Sequence, residues 1–218
     1  MPMQLLKELV DLRRNILTMG AAVEQRIHWA MRALLEGDME AAQLVRKGDN
    51  EIDRMEIINE EECLRILALT HPVAGDLRFV LSAMRINTNL ERIADMARSV
   101  AKRAIDLHQL RTVEMPPSLA TMATETEHMF VSAMKALADE DADLAQRIRK
   151  DDQRVDDLQK EVFAWAQVEI PRHVEATEAA IDVLSIARKL ERIADVCTNI
   201  AEDVIFMSKG SLVRHEHL

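Results

Sequence analysis

The sequence predicts an all-α fold, six long helices arranged as two repeated antiparallel three-helix bundles. Three observations carry this expectation. The 218 residues include only five Gly, five Pro and no Tyr, so strand formers are thin, while the strong helix formers Ala, Leu, Glu, Met, Arg and Lys abound. Apolar residues recur at steps of three and four over long stretches. The second half of the chain also repeats the first. A sandwich, a barrel and a Gly-rich doubly wound sheet are thereby disfavoured.

The helices are expected at about 4–36, 38–70, 75–109, 118–139, 141–169 and 174–208. In the first, Leu5, Leu9, Leu12, Ile16, Met19, Val23, Ile27, Ala30 and Leu34 form one apolar stripe. Glu36-Gly37-Asp38 marks a turn, with Asp38 as the N-cap of the second helix. Pro72, in THPVAG, separates the second helix from the third. Pro116 and Pro117, in VEMPPS, separate the two halves. Asp139-Glu140-Asp141 forms the next turn, with Asp141 capping the fifth helix. Pro171, in EIPRHV, is expected to stop that helix, and Gly210 to cap the sixth. Gly20 and Gly48 fall inside helical stretches and weaken the pattern locally.

The repeat is explicit. Shifted by 103, residues 19–56 align with 122–159 without a gap and give 13 identities in 38 positions, Asp49 and Asp53 among them. Shifted by 100, LERIAD at 90–95 meets LERIAD at 190–195. The change of shift places a three-residue deletion near Pro171. Two units follow, 1–115 and 116–218, each a three-helix repeat.

Formal net charge is −10. An acidic protein is poorly suited to nucleic acid or anionic lipid and well suited to cations. Cys63 and Cys197 make no disulfide framework and read as buried thiols in a reducing compartment. The start, MPMQLLKELVDLRR, is broken by charges before a signal core can form, and no apolar run approaches membrane-spanning length. The expected location is the cytoplasm, at most peripheral to the inner membrane face.

Each unit carries two acidic pairs at i, i+4: Asp49/Asp53 with Glu91/Asp95, and Asp152/Asp156 with Glu191/Asp195. Residues four apart share a helix face. One such pair means little in an acidic chain; placement gives these weight. Positions 49 and 95, and 53 and 91, are equidistant from Pro72, and 152 and 195, and 156 and 191, from a point just past Pro171. In both units the pairs should therefore face each other at one level, about 28 Å from the hairpin turn. Four carboxylates packed together repel, and burial raises their pKa values further. Either Arg92 and Arg192 neutralise them or the acids stay solvated, or else a multivalent cation binds. Oxygen-only ligands suit hard or borderline ions.

Asn199 and Glu202 lie one and two turns beyond Asp195 and are possible accessory groups, though a helix-face amide and an exposed acid are the plainer reading. The seven His are scattered, and the thirteen Met read as core filler. No phosphate-binding Gly loop, catalytic triad order or zinc-type Cys spacing is present.

With these residues in view, the chain resembles the PhoU family of phosphate-specific transport accessory and regulatory proteins. The marks are the acidic pairs, PVAGDLR at 72–78, LERIAD in both halves and NIAEDVIFMSKG at 199–210. The resemblance implies metal clusters on Asp49, Asp53, Glu91, Asp95, Asp152, Asp156, Glu191 and Asp195, with iron, Mn, Mg or Zn as the ion. It implies a non-enzymatic homodimer that negatively regulates phosphate uptake and phosphate-starvation genes. The implied partners are a phosphate ABC transporter and a sensor histidine kinase. Two features depart from the family pattern. Positions 176 and 178 are Ala and Glu where a second DLR would place Asp and Arg, and LERIAD follows Asn89 and Lys189, where relatives often have an acid. The competing classes are a di-metal carboxylate enzyme and a structural helical adaptor without metal. The former needs two Glu-x-x-His motifs, and only Glu125-x-x-His128 fits.

Overall fold

The computed structural model describes residues 3–47, 49–110, 114–211 and 213, with the side chains of Lys47 and Asp49 excepted. They form seven α-helices: α1 Met3–Glu36, α2 Met39–Lys47, α3 Asp49–Thr70, α4 Ala74–Leu110, α5 Pro117–Asp139, α6 Ala142–Arg172 and α7 Thr177–Lys209. A 3-10 turn, Val174–Ala176, precedes α7. There is no strand among the described residues.

The helix expected over 38–70 is described as α2 and α3 on either side of position 48, which lies outside the described residues. One boundary differs from the sequence expectation. The fifth helix runs past Pro171 to Arg172. A proline so near the end forfeits one backbone bond only, and the His173 amide still donates to the Glu169 carbonyl at 2.9 Å.

The expected caps are in place. Asp38 accepts from the Glu40 and Ala41 amides at 3.0 and 2.9 Å. Asp141 accepts from Asp143 and Leu144 at 3.0 and 2.9 Å. Gly210 closes α7 in the left-handed region at φ 73°, its amide donating to Phe206. Gly37 also needs positive φ (69°), and a Cβ there would press on the His108 ring at 3.3 Å. His108 Nε2 donates to the Leu34 carbonyl at 2.9 Å, so the end of α1 is pinned to the end of α4.

One group of helices comprises α1, α2, α3 and α4; the other comprises α5, α6 and α7. They join where α4 lies along α7 and α1 along α5. The α1 stripe is buried as expected, with Leu12, Met19, Val23, Ile27 and Leu34 at 0% exposure. Gly20 leaves room on α1 for Met134 of α5, since a Cβ there would collide with the Met134 side chain. Along the other seam α4 and α7 run antiparallel. Arg85 pairs with Asp203 at 3.1 Å and Arg103 with Asp182. The LERIAD segments lie between these two ion pairs and so face each other across the seam.

Candidate metal centre

The two halves of each acidic set arrive on neighbouring helices. In the second unit, α6 supplies Asp152 and Asp156 and α7 supplies Glu191 and Asp195. Their shared field is strong. Burial, then Asp195, Asp156 and Glu191, push the Asp152 carboxyl up to about 7. Glu191 is raised by burial and by Asp195 and Asp156, against the pull of Arg192 and a hydrogen bond from Gln159. Asp195 is raised by desolvation and Asp156, again against Arg192. The four predicted residues of this unit are thus brought together as a like-charged set.

In the first unit α3 supplies Asp53 and α4 supplies Glu91 and Asp95. Asp49 opens α3, and its side chain lies outside the described residues. Glu91 is raised by burial and then by Asp95, Glu56 and Asp53. Glu56 belongs to the same set, raised by burial and then by Glu60 and Asp53. The sequence reading missed Glu56 and Glu60. The signal was there: 49, 53, 56 and 60 step by four, three and four, so α3 carries a carboxylate row rather than a pair. Position 56 repeats as 159, so the first unit places an acid where the second places the Gln159 amide.

Arg92 and Arg192 oppose these shifts through their charge, yet neither makes an ion pair with a carboxylate among the described residues. Direct neutralisation by these two arginines is therefore not what the structure shows. Asp95 turns instead to Arg98, at 2.9 Å. Among the described residues no three acidic, His or Cys side chains converge as the ligands of one ion. The oxygen-only donor chemistry fits a hard cation; the side chains as placed do not close a coordination sphere.

Asn199 and Glu202 stand on α7 facing α4. Both line a concavity of about 640 Å³ with Glu60, Arg85, Asn89 and Arg92. Glu202 is held by Arg149 at 3.4 Å. A neighbouring concavity of about 480 Å³ is lined by Arg92, Asp95, Lys189, Arg192, Asp195 and Asn199, and so touches both acidic sets. Cys63 and Cys197 are buried and free. Burial pushes the Cys63 thiol up to about 12 and raises Cys197 as well, which disfavours the reactive thiolate at both. Glu125 pairs with Arg154 at 2.8 Å, while His128 is exposed. No helix among the described residues is long and apolar enough to cross a membrane.

The PhoU domain family model matches this chain twice, over residues 16–104 and 119–204. The chain belongs to the PhoU family. It is 37% identical over 211 residues to the phosphate-specific transport system accessory protein PhoU homolog of Pseudomonas aeruginosa, covering 95% of this chain and 86% of that protein. It is 31% identical over 208 residues to the accessory protein PhoU of Escherichia coli (strain K12), with the same coverage. The crystal structure of PhoU from Pseudomonas aeruginosa matches with a TM-score of 0.91 at 35% identity, covering 94% of this chain and 99% of that one. The phosphate transport system regulatory protein PhoU from Streptococcus pneumoniae matches with a TM-score of 0.87 at 27% identity, covering 96% and 99%. The duplicated helical architecture is thus that of PhoU, and the PhoU relatives carry names of accessory or regulatory proteins rather than of enzymes.

Proposed function

We propose that this chain is a metal-binding, non-enzymatic regulator of phosphate uptake. In this reading it works in the cytoplasm, as a homodimer of chains that each carry two repeats meeting at 115/116. It restrains phosphate-starvation genes by docking onto a phosphate ABC transporter and its sensor histidine kinase. The family membership and the names of the relatives support the phosphate assignment.

One observation carries the metal assignment: both units gather like-charged carboxylates, and in the second, burial and then Asp195, Asp156 and Glu191 lift Asp152 to about 7. A group placed at neutral pH in so unfavourable a field is relieved by a proton or by a cation. Asp49, Asp53, Glu91 and Asp95 would hold the ion in the first unit. Asp152, Asp156, Glu191 and Asp195 would hold it in the second, with Asn199 and Glu202 beside it. Iron, Mn, Mg and Zn are the candidate ions. When bound, the ion neutralises charge and cross-links the two helices of its unit.

A phosphate-starvation reporter tests the reading. Deletion should derepress it in rich phosphate, and the wild-type gene should restore repression. A variant with all eight acids changed to amides, folded by circular dichroism, should fail to restore it. A reporter indifferent to the deletion would remove the phosphate assignment; repression restored by the eightfold variant would show the metal to be dispensable.

A further inference from the structure

The outer face of α3 breaks the pattern expected of a solvated helix. Ile57, Ile58, Leu64 and Leu69 are 54%, 57%, 52% and 69% exposed. Ile57 and Leu64 are seven apart and lie along one line of the helix, opposite the buried Ile52, Asn59, Cys63 and Ile66. Ile58 and Leu69 flank that line on one side.

The second unit serves as an internal control. The inner face of α3 repeats in α6, with Ile52, Asn59 and Cys63 matched by the buried Val155, Val162 and Ala166. At the outer positions the correspondence is chemical reversal: Ile57, Ile58, Leu64 and Leu69 are matched by Lys160, Glu161, Gln167 and Arg172. A helix at this place in the fold therefore needs no apolar outer face for folding. Exposed apolar side chains in a row mark a contact surface.

Charge selects what the surface fits. The exposed charges on α3 beside the stripe are Glu51, Asp53, Glu60 and Glu61, against Arg54. Arg65 is held by Glu62 at 2.7 Å and Glu8 at 3.1 Å. A second copy packed face to face would set acidic flank against acidic flank, and an anionic lipid surface would be repelled. We infer that this face of α3 docks a basic amphipathic helix of a partner protein, its apolar residues laid on Ile57 and Leu64 and its Lys or Arg against Glu60 and Glu61. Residues 57–69 span about 18 Å, so some three turns of partner helix suffice. The inference rests on the reading that the chain acts by docking, and names the surface.

The test uses the full chain and a synthetic 18-residue helical peptide with Leu at i, i+3, i+4 and i+7 spacing and Lys elsewhere. Its control is the same pattern with Glu in place of Lys. The variant carries Ile57→Lys, Ile58→Glu and Leu64→Gln together, the residues of the second unit, which leave net charge unchanged and are tolerated at this place in the fold. The Lys peptide should bind the wild type, the Glu peptide should not, and the variant should bind at least ~10-fold more weakly, as expected for losing apolar anchors. Glu60→Gln with Glu61→Gln should weaken binding too and flatten its salt dependence. Equal binding of the Lys peptide by wild type and triple variant would overturn the proposal. So would a wild-type dimer in sedimentation that the triple variant abolishes, or binding to phosphatidylglycerol vesicles that it abolishes. In the deletion strain the triple variant should fail to restore repression; full repression by a variant that no longer binds the peptide would separate this face from regulation. A reporter indifferent to the deletion strikes the phosphate reading, and the peptide measurements then judge the face by themselves.

Discussion

Replacing Asp152 by Asn should stabilise the metal-free protein at neutral pH, the reverse of what removing a buried charged group usually does. The carboxyl has an ordinary value of 3.8 and stands at about 7 in the folded chain. Between those values the folded state binds a proton that the unfolded chain has released, so stability falls as pH rises through that window. The penalty is fully present above the folded value and gone below the unfolded one. At about 1.4 kcal/mol per pKa unit, some three units set a ceiling near ~4 kcal/mol. The site is open to water on one side, and screening reduces this to about 1–2 kcal/mol. Asn keeps the shape and removes the charge. In chelator at pH 7.5, Asp152→Asn should raise the melting temperature by about 3–6 °C for a chain of this size. At pH 4, just above the unfolded value, the difference should shrink to a small fraction, because wild-type Asp152 is then protonated in the fold. With metal added the sign should invert, since the variant has lost a ligand. Thermal melts followed by circular dichroism at pH 4, 5.5 and 7.5, with chelator and with Mn²⁺, check all three. A variant that is neutral or destabilised in chelator at pH 7.5 would refute the account of Asp152 as a carboxylate penalised by burial and by its acidic neighbours.

Three further outcomes are expected. Metal at 100 times its dissociation constant should stabilise the wild type by about 2.7 kcal/mol, hence about 5–10 °C in melting temperature, and chelation should remove the gain; melts indifferent to both would favour solvated acids. Glu91→Gln with Asp95→Asn should deplete metal from the first unit only, so elemental analysis should show the total reduced but not abolished, and unchanged stoichiometry would sink the assignment of that site. Asn87→Ala should cost about 1–3 kcal/mol in a denaturant titration, because Asn87 donates to the Glu56 carbonyl at 2.9 Å and accepts from Asn59 at 3.0 Å inside the core; adding Asn59→Val, to match Val162 and Ala187 of the second unit, should recover much of the loss.

The helical plan was legible because each signal is local. Asp38 and Asp141 cap because a short acid before an amphipathic run can reach the next two free amides. Gly210 ends α7 because positive φ is open to glycine at no steric cost. The pairing of Asp152 with Asp195, and of Glu91 with Asp53, was legible from arithmetic about the turn, because an antiparallel hairpin fixes height by residue count. What hid was sideways neighbourhood. Glu56 joins the first set because α3 presents a third row to α4, and an i, i+4 search stops at two. Arg98 capturing Asp95 depends on rotamers, which no spacing states.

The seam between α4 and α7 shows how the two sets come to concern each other. Each repeat alone would expose the face of its third helix that lies along the seam. Within LERIAD, Ile93, Ala94, Ile193 and Ala194 are buried while Arg92 and Arg192 are exposed. The antiparallel register of α4 and α7 brings Asp95 and Asp195 to one shared concavity of about 480 Å³. Arg92, Arg192 and Lys189 line that concavity beside the two aspartates. Duplicating one helix and packing it against its copy is thus what sets one aspartate from each acidic set on the same concavity.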